Sequence, residues 1–499
     1  ASGVAAAALL RKEGVDVVFL PHMVASRLNG YTTDAQFCPW VQGTPSAVKT
    51  ALRQHGVSTD RIVSPVVDFR LDEHRIVDCL NEGIGPVTGR TRLEIEGAWR
   101  RGLEAQESFD RSCVTEGKKA LRRLRETGGK GIVVVGRPYN VFDSGANVGL
   151  PEKIADYGYT VVPIDFIPFR PEVLGERYRN TYWNYGQRIL SALRQIREDD
   201  SLYAVYLTNF SCGPDSFQLS YAEDIMGEKP MLILELDEHG ADAGYITRIE
   251  AFLDVIRSDR SDERGAHIDV FAPPTNWERR RVWIPPMHEM GATLFAAACR
   301  RFGYRAEPLP VEDLRAFELG RRLTRGSECL PTVATLGTFV KTLRDLDADP
   351  KGEALFMPTA EGPCRFGQYA TSHRLALEKI GMGEVAILSP SSYNSYMGLP
   401  DKLRRLLWDA ILAADILFKL GCRVRPYEKT PGETDALVAA QLERACHTIE
   451  RAEPMIPMLR SATRAFGRIQ TTSERKPLVG VVGEIYVRCN GFCNSQVVR

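Results

Sequence analysis

Across 499 residues, 64 basic and 64 acidic side chains cancel, which removes the electrostatic case for a nucleic-acid partner or an anionic membrane. A chain of this length exceeds what one hydrophobic core serves and should divide into two or more α/β domains. No apolar run reaches the roughly 18 residues of a membrane span, and the opening ASGVAAAALLRKEG places its charges after its apolar stretch, the reverse of a signal peptide. The expectation is a soluble, cytoplasmic protein. Its 11 cysteines are scattered rather than bunched as in a small secreted scaffold, so they should be reduced thiols, with some serving as metal ligands.

In chain order, Val15–Leu20 is a β-rich run closed by Pro21, followed by a Gly/Asn/Thr turn that leads to Phe37-Cys38-Pro39. Pro45 is expected to open an amphipathic helix to about Gln54. Glu94–Thr127 carries apolar residues at helical spacing (Leu103, Phe109, Val114, Leu121, Leu124) and predicts a long surface helix ending at Gly128-Gly129. Ile132–Val135 predicts a buried strand, with a helix start near Gly149-Leu150-Pro151. Strands Thr160–Pro163, Tyr203–Leu207 and Met231–Leu236 alternate with helices Trp183–Arg197, Ser220–Met226 and Gly244–Arg257, the signature of a mostly parallel, doubly wound sheet. Arg257–Glu278 is rich in charge, Pro and Gly and reads as the boundary between two units, 1–265 and 266–499. Beyond it, strands are expected at Val282–Ile284, Ala354–Met357, Val385–Leu388 and Leu478–Val482. Helices are expected at His288–Phe302, Leu330–Leu346, Arg374–Lys379, Lys402–Leu420 and Asp435–Arg451.

Two pairs of segments echo each other. GIVVVGRPYN at Gly131–Asn140 is matched by LVGVVGEIYVR at Leu478–Arg488, and the Cys-Pro helix start at Cys38 by the Cys-Leu-Pro start at Cys329. This points to duplication of one α/β unit. The turn LTNFSCGPDSF follows a strand and puts Cys212 where open α/β sheets collect ligands, and EGPCRFGQY puts Cys364 in a matching place. Cys38, Cys212, Cys329 and Cys364 therefore stand at strand or helix ends, where soft thiolates can converge on an iron–sulfur group or zinc. Spacing alone leaves the alternative of buried free cysteines open, because no Cys-x-x-Cys occurs and Cys489-x-x-x-Cys493 is the one close pair. Cys79, Cys113, Cys299, Cys422 and Cys446 read as structural. Gly136–Asn140 reads as a plain strand-to-helix turn or an anion cradle, without a nucleotide signature. Glu235–Asp242 reads as a solvated helix cap, His288 lacks the second His of a zinc-binding helix, and Ser389–Tyr396 is a polar loop.

Taken together, GRPYNVFDSGANVGLPEKI, NFSCGPDSF, GEKPMLILELDEHGADAGYITRIEAF, ECLPTVATLG, GPCRFGQY and GEIYVR resemble the large proteins related to 2-hydroxyacyl-CoA dehydratases and their activators. The likeness runs over nearly the whole chain. It implies two repeated doubly wound units with mostly parallel sheets, similar to the dehydratase subunits. It also implies [4Fe-4S] clusters, the double-cubane form included, on three cysteines per unit. Cys38 and Cys212 would be ligands in the first unit, and Cys329 and Cys364 in the second. The partner implied is an ATP-hydrolysing activator, as a module or a separate protein, and an acyl-CoA is the substrate class. The activity would be that of a dehydratase-like lyase or of an ATP-coupled reductase component working anaerobically, in an oligomer or a larger chain.

The departures shape these expectations. The activator's ATPase signatures are not visible, the Cys-Phe-Pro helix that relatives place before Val15–Leu20 is not in the sequence, and neither is the Cys-Pro-type turn that follows GEIYVR in relatives. Each unit thus shows two of three expected ligands, and Cys489 and Cys493 match no family ligand. The chain is accordingly expected to be a piece of a longer one, with its second unit incomplete and its iron substoichiometric. The rival expectation is a scaffold or interaction module that keeps the fold and holds no cluster.

Overall fold

The computed structural model describes residues 2–12, 14–237, 242–259, 277–474 and 476–498. It divides into two compact units, Ala1–Phe271 with Glu361–Arg365, and Ala272–Ala360 with Phe366–Arg499. Residues 260–276, most of the expected boundary, and residues 238–241 of the Glu235–Asp242 run lie outside the described residues.

The first unit opens with two short parallel pairs, β1 (Val18–Phe19) with β3 (Ile62–Val63) and β2 (His22–Ala25) with β4 (Val66–Asp68). Pro21 and Pro65 stand between the pairs, and a residue with no N–H cannot donate to the ladder, so each run is split in two. Ala6, Leu10, Val48 and Leu52 of the flanking helices close over Val18 and Ile62. The 36-residue helix Arg92–Thr127 starts at a capping box in which Thr91 and Glu94 each bond the other's backbone N–H, and it stops at Gly128 in the left-handed conformation.

The main sheet of this unit has the order β6-β5-β7-β8, every pair parallel, from β5 (Gly131–Gly136), β6 (Thr160–Pro163), β7 (Leu202–Asn209) and β8 (Met231–Leu236). β5 is buried along its whole length, as expected of an apolar strand covered on both faces. A Cβ on Gly136 would stand 2.6 Å from the Leu207 carbonyl oxygen, so only glycine lets the two strands stay paired at that end.

The second unit repeats this order. β9 (Arg281–Ile284), β10 (Arg305–Pro308), β11 (Glu353–Phe356) and β12 (Ala386–Leu388) form a parallel sheet ordered β10-β9-β11-β12. Its core gathers Val282, Ala306, Ala354 and Leu388 from the strands with Leu294, Leu417, Ile449 and Phe466 from four helices. The chain is therefore α/β with repeated doubly wound parallel sheets, as the β–α alternation implied.

Four local readings need correction. The helix after Cys38 is Pro39–Gln54, with Pro45 inside it rather than at its start. β10 was not anticipated, since RAEP offers neither an apolar run nor β-branched residues. The helices Glu73–Thr88, Leu314–Leu323 and Met455–Phe466 were likewise not anticipated. Leu478–Val482 forms no strand; Leu478 and Val482 are 100% and 90% exposed. No strand among the described residues pairs with that run, and β propensity without a ladder partner does not hold an extended segment. The topological counterpart of β5 is β9 instead.

Candidate functional site

In the order β6-β5-β7-β8 the chain turns one way from β5 and the other way from β7, so the loops leaving these strands frame the crevice where doubly wound sheets bind ligands. Arg137 follows β5 directly and Tyr139 lies in the short helix Pro138–Phe142 that comes next; the turn after β7 supplies Cys212, and Asp215 opens the helix Asp215–Met226 behind it. Arg137 and Asp215 form an ion pair in which both side chains are 2% exposed or less. Asp215 also accepts from the hydroxyls of Thr208 and Tyr206, the latter at 3.1 Å. Tyr206 and Thr208 are two residues apart on β7 and so share a face. Burial opposes the charged form of Asp215, but Arg137 and the two hydroxyls outweigh it and hold the carboxyl below its ordinary range.

The Cys212 turn is fixed by backbone bonds, Cys212 N–H to Asn209 at 3.0 Å and Ser216 N–H to the Cys212 carbonyl at 3.0 Å, with Ser211 at φ 59°. Burial pushes the Cys212 thiol up to about 12; the Asp215 carboxylate adds to that rise, while Arg137 and the Asp215 N–H oppose it. Cys38 is the residue before the Pro39–Gln54 helix, half-buried, with no side-chain cap bond of its own. Tyr139 lies within electrostatic reach of both Cys38 and Cys212. Although 45% of its surface is exposed, desolvation first and then the two cysteines raise its hydroxyl pKa against the pull of Arg137. Tyr185 likewise has both Cys38 and Arg137 near it and is raised chiefly by burial.

Cys364 was expected with the second unit, but its segment packs with the first. Its carbonyl accepts from Tyr182, whose own carbonyl accepts from Gln36 N–H at 2.6 Å, two residues before Cys38. The next residue, Arg365, donates to Ser216 Oγ at 3.0 Å, beside the Cys212 turn. These bonds, not sequence order, decide where Cys364 sits, and its side chain is exposed.

In the second unit Cys329 precedes the Leu330–Asp345 helix, with Pro331 in the first turn, as Cys38 precedes Pro39. Tyr369 is bonded to Cys329 and to Thr332; burial first and then Cys329 raise its hydroxyl pKa. Behind it, His373 is fully buried between the Tyr369 carbonyl at 2.5 Å and Thr335 Oγ1 at 3.1 Å, and burial holds it down to about 4. A second polar cluster joins Glu312 to Tyr486 and, at 2.6 Å, to Asn490 Nδ2. Cys493, beside Glu312 and Glu484, is pushed up to about 12, chiefly by burial.

The donor types suit an iron–sulfur group: thiols at strand and helix ends, with Tyr139 in electrostatic reach of Cys38 and Cys212 and Tyr369 bonded to Cys329. Buried polar atoms without partners among the described residues, Asn140 Oδ1 and both amide atoms of Gln218, lie on the Arg137–Asn147 stretch and on the helix that follows Cys212. Among the described residues no group of three His, Cys, Asp or Glu side chains is placed to hold a metal ion. Arg137 and Asp215 were not singled out from sequence, although both lie inside quoted motifs; a buried charge beside each proposed anchor was the missing cue.

Residues 3–167 match the family model described as CoA enzyme activase uncharacterised domain. Searches of curated proteins and of solved structures returned no match. No helix among the described residues is long and apolar enough to cross a membrane.

Proposed function

We propose that this chain is an iron–sulfur redox component of an acyl-CoA dehydratase-like system, receiving low-potential electrons from an ATP-hydrolysing activator. The activase-domain match over residues 3–167 supports the system. Both Cys38 and Cys212 lie within electrostatic reach of Tyr139, which supports the site. Cys38 and Cys212 would hold a [4Fe-4S] group, and Cys364, on the Glu361–Arg365 segment of the same unit, would be a candidate third thiolate. Cys329 is the corresponding thiol of the second unit. When bound, such a group supplies one-electron transfer.

The protein's own part is to exclude water and fix charge. Arg137 lies within electrostatic reach of the Cys212 sulfur and favours its thiolate form, the form that binds iron. Asp215 holds Arg137 in place and offers its backbone N–H to the same sulfur. A hydrogen bond and a neighbouring cation both stabilise added negative charge at a thiolate.

Anaerobic reconstitution with iron and sulfide tests this. Cys38→Ser and Cys212→Ser are expected to lower bound iron and the broad visible absorption well below those of Cys113→Ser, whose thiol is buried on the long helix. Equal iron in all three variants rules the site out. One observation favours a second reading, a scaffold without a cluster: no three-ligand group is in place among the described residues. Wild-type protein that stays colourless and iron-free after reconstitution selects that reading.

A further inference from the structure

The second unit holds a cavity of about 470 Å3 at the carboxyl ends of β9 and β10, walled by Pro286, Leu309, Val311, Phe418 and Val438. Its volume is that of a small-molecule site, and its position obeys the rule that open parallel sheets bind ligands beyond their strand ends. Neither Cys329 nor Tyr369 lines it; the one cysteine on its wall is Cys489.

Four charged side chains line the cavity: Glu289, Arg425, Asp435 and Arg488. Arg425 and Asp435 are committed to each other, with Nε and Nη2 at 2.9 and 2.8 Å from Asp435 Oδ1. Glu289 and Arg488 form no ion pair among the described residues, with each other or with anything else. One cavity thus presents an uncommitted anion and an uncommitted cation to whatever enters it. His288 adds a donor. Its Nδ1 accepts from Gly291 N–H at 3.0 Å, which caps the Glu289–Arg301 helix and puts the ring proton on Nε2. Burial lowers the pKa of this ring against the pull of Asp415 and Glu289, which favours the neutral form.

We propose that this cavity binds a small zwitterion with an apolar body, in chemical class an apolar α-amino acid. The carboxylate would answer Arg488 and His288 Nε2–H, the ammonium Glu289, and the side chain the Phe418–Val438 wall. Occupying the cavity takes water from the half-buried Glu289 and from the cavity side of the exposed Arg488, and a charge that loses water without a partner is costly. A carboxylate without an amine leaves Glu289 facing it unpaired, and an amine without a carboxylate leaves Arg488 so.

Isothermal titration of the whole chain with L-leucine, 4-methylpentanoate and 3-methylbutylamine tests this. Leucine should bind with a dissociation constant below about 1 mM, and each singly charged analogue at least about tenfold more weakly. Glu289→Gln should erase the preference for leucine over 4-methylpentanoate, and Arg488→Gln the preference over the amine. His288→Asn keeps a side-chain acceptor at the helix start and should weaken leucine without unfolding the unit. Val438→Trp fills the cavity and should abolish binding; where that variant does not fold, the Glu289→Gln preference decides alone. Absence of heat with leucine at about 10 mM, equal binding of the three probes, or an unchanged preference in Glu289→Gln overturns the proposal.

Discussion

At Asp215, a carboxylate that is 1% exposed faces an arginine that is 2% exposed. Removing one partner of such a pair is far worse than removing both, because the survivor stays charged and dry. Asp215→Asn is expected to cost about 3–5 kcal/mol in urea unfolding at neutral pH, the range for breaking a buried pair. The pH dependence has a definite sign. The folded pKa of Asp215 lies below its ordinary 3.8, so its contribution is present above the unfolded value and is lost as pH falls through the folded one. The wild-type advantage over Asp215→Asn should shrink only below about pH 4. His373 behaves differently. Its folded pKa of about 4 lies below the ordinary 6.5, so the unfolded chain binds the extra proton between these values and stability falls as pH drops from about 6.5 to about 4. The loss is on the order of 3 kcal/mol. His373→Gln should flatten that slope in urea midpoints measured from pH 7 to pH 4.5. None of this was legible in the sequence. Cys212 could be picked out because Cys-Gly-Pro after an apolar run is a recognisable turn, whereas the Arg137–Asp215 pairing exists only because β5 and β7 become neighbours.

Elements show a similar division between local and distant causes. The Arg92–Thr127 helix was readable because its start, apolar spacing and glycine stop are all local. β10 and the Leu314–Leu323 helix were not, since each depends on what it packs against. That helix meets Leu330–Asp345 at two glycines, where a Cβ on Gly337 would lie 1.9 Å from the Ala316 carbonyl oxygen and one on Gly320 would lie 2.0 Å from that of Val333. Backbone lies on the far side of both contacts, so neither can yield by a side-chain rotation. Gly337→Ala should push the helices apart and cost about 1–3 kcal/mol or more, as overpacking does. Gly102 is the control: it lies inside the long helix with nothing within 4 Å of an added Cβ. Gly102→Ala should instead raise stability by about 0.5–1 kcal/mol through helix propensity. Thermal unfolding of the two variants should move in opposite directions.

On the scale of the whole chain, the repeated doubly wound architecture was legible because β–α alternation is a sequence-wide pattern. The matching orders β6-β5-β7-β8 and β10-β9-β11-β12 bear the repeat out in topology, though through β9 rather than through Leu478–Val482. Placement of Cys364 was not legible, because Tyr182 and Ser216, which fix its segment, are distant in sequence. Alkylation of a cysteine goes through the thiolate, so it is governed by exposure and by pKa at once. Cys364 is exposed, whereas burial pushes Cys212, Cys299 and Cys493 up to about 12 and Cys113 is both buried and raised. At pH 7.5, under native conditions, alkylation followed by peptide mapping should label Cys364 early and Cys113, Cys212, Cys299 and Cys493 last. Asp215→Asn leaves Arg137 without its counter-charge beside Cys212, so that variant should speed the labelling of Cys212 and leave Cys299, in the other unit, unchanged. Acceleration at both positions would instead report general loosening of the fold, and no acceleration at either would show that the pair does not govern this thiol.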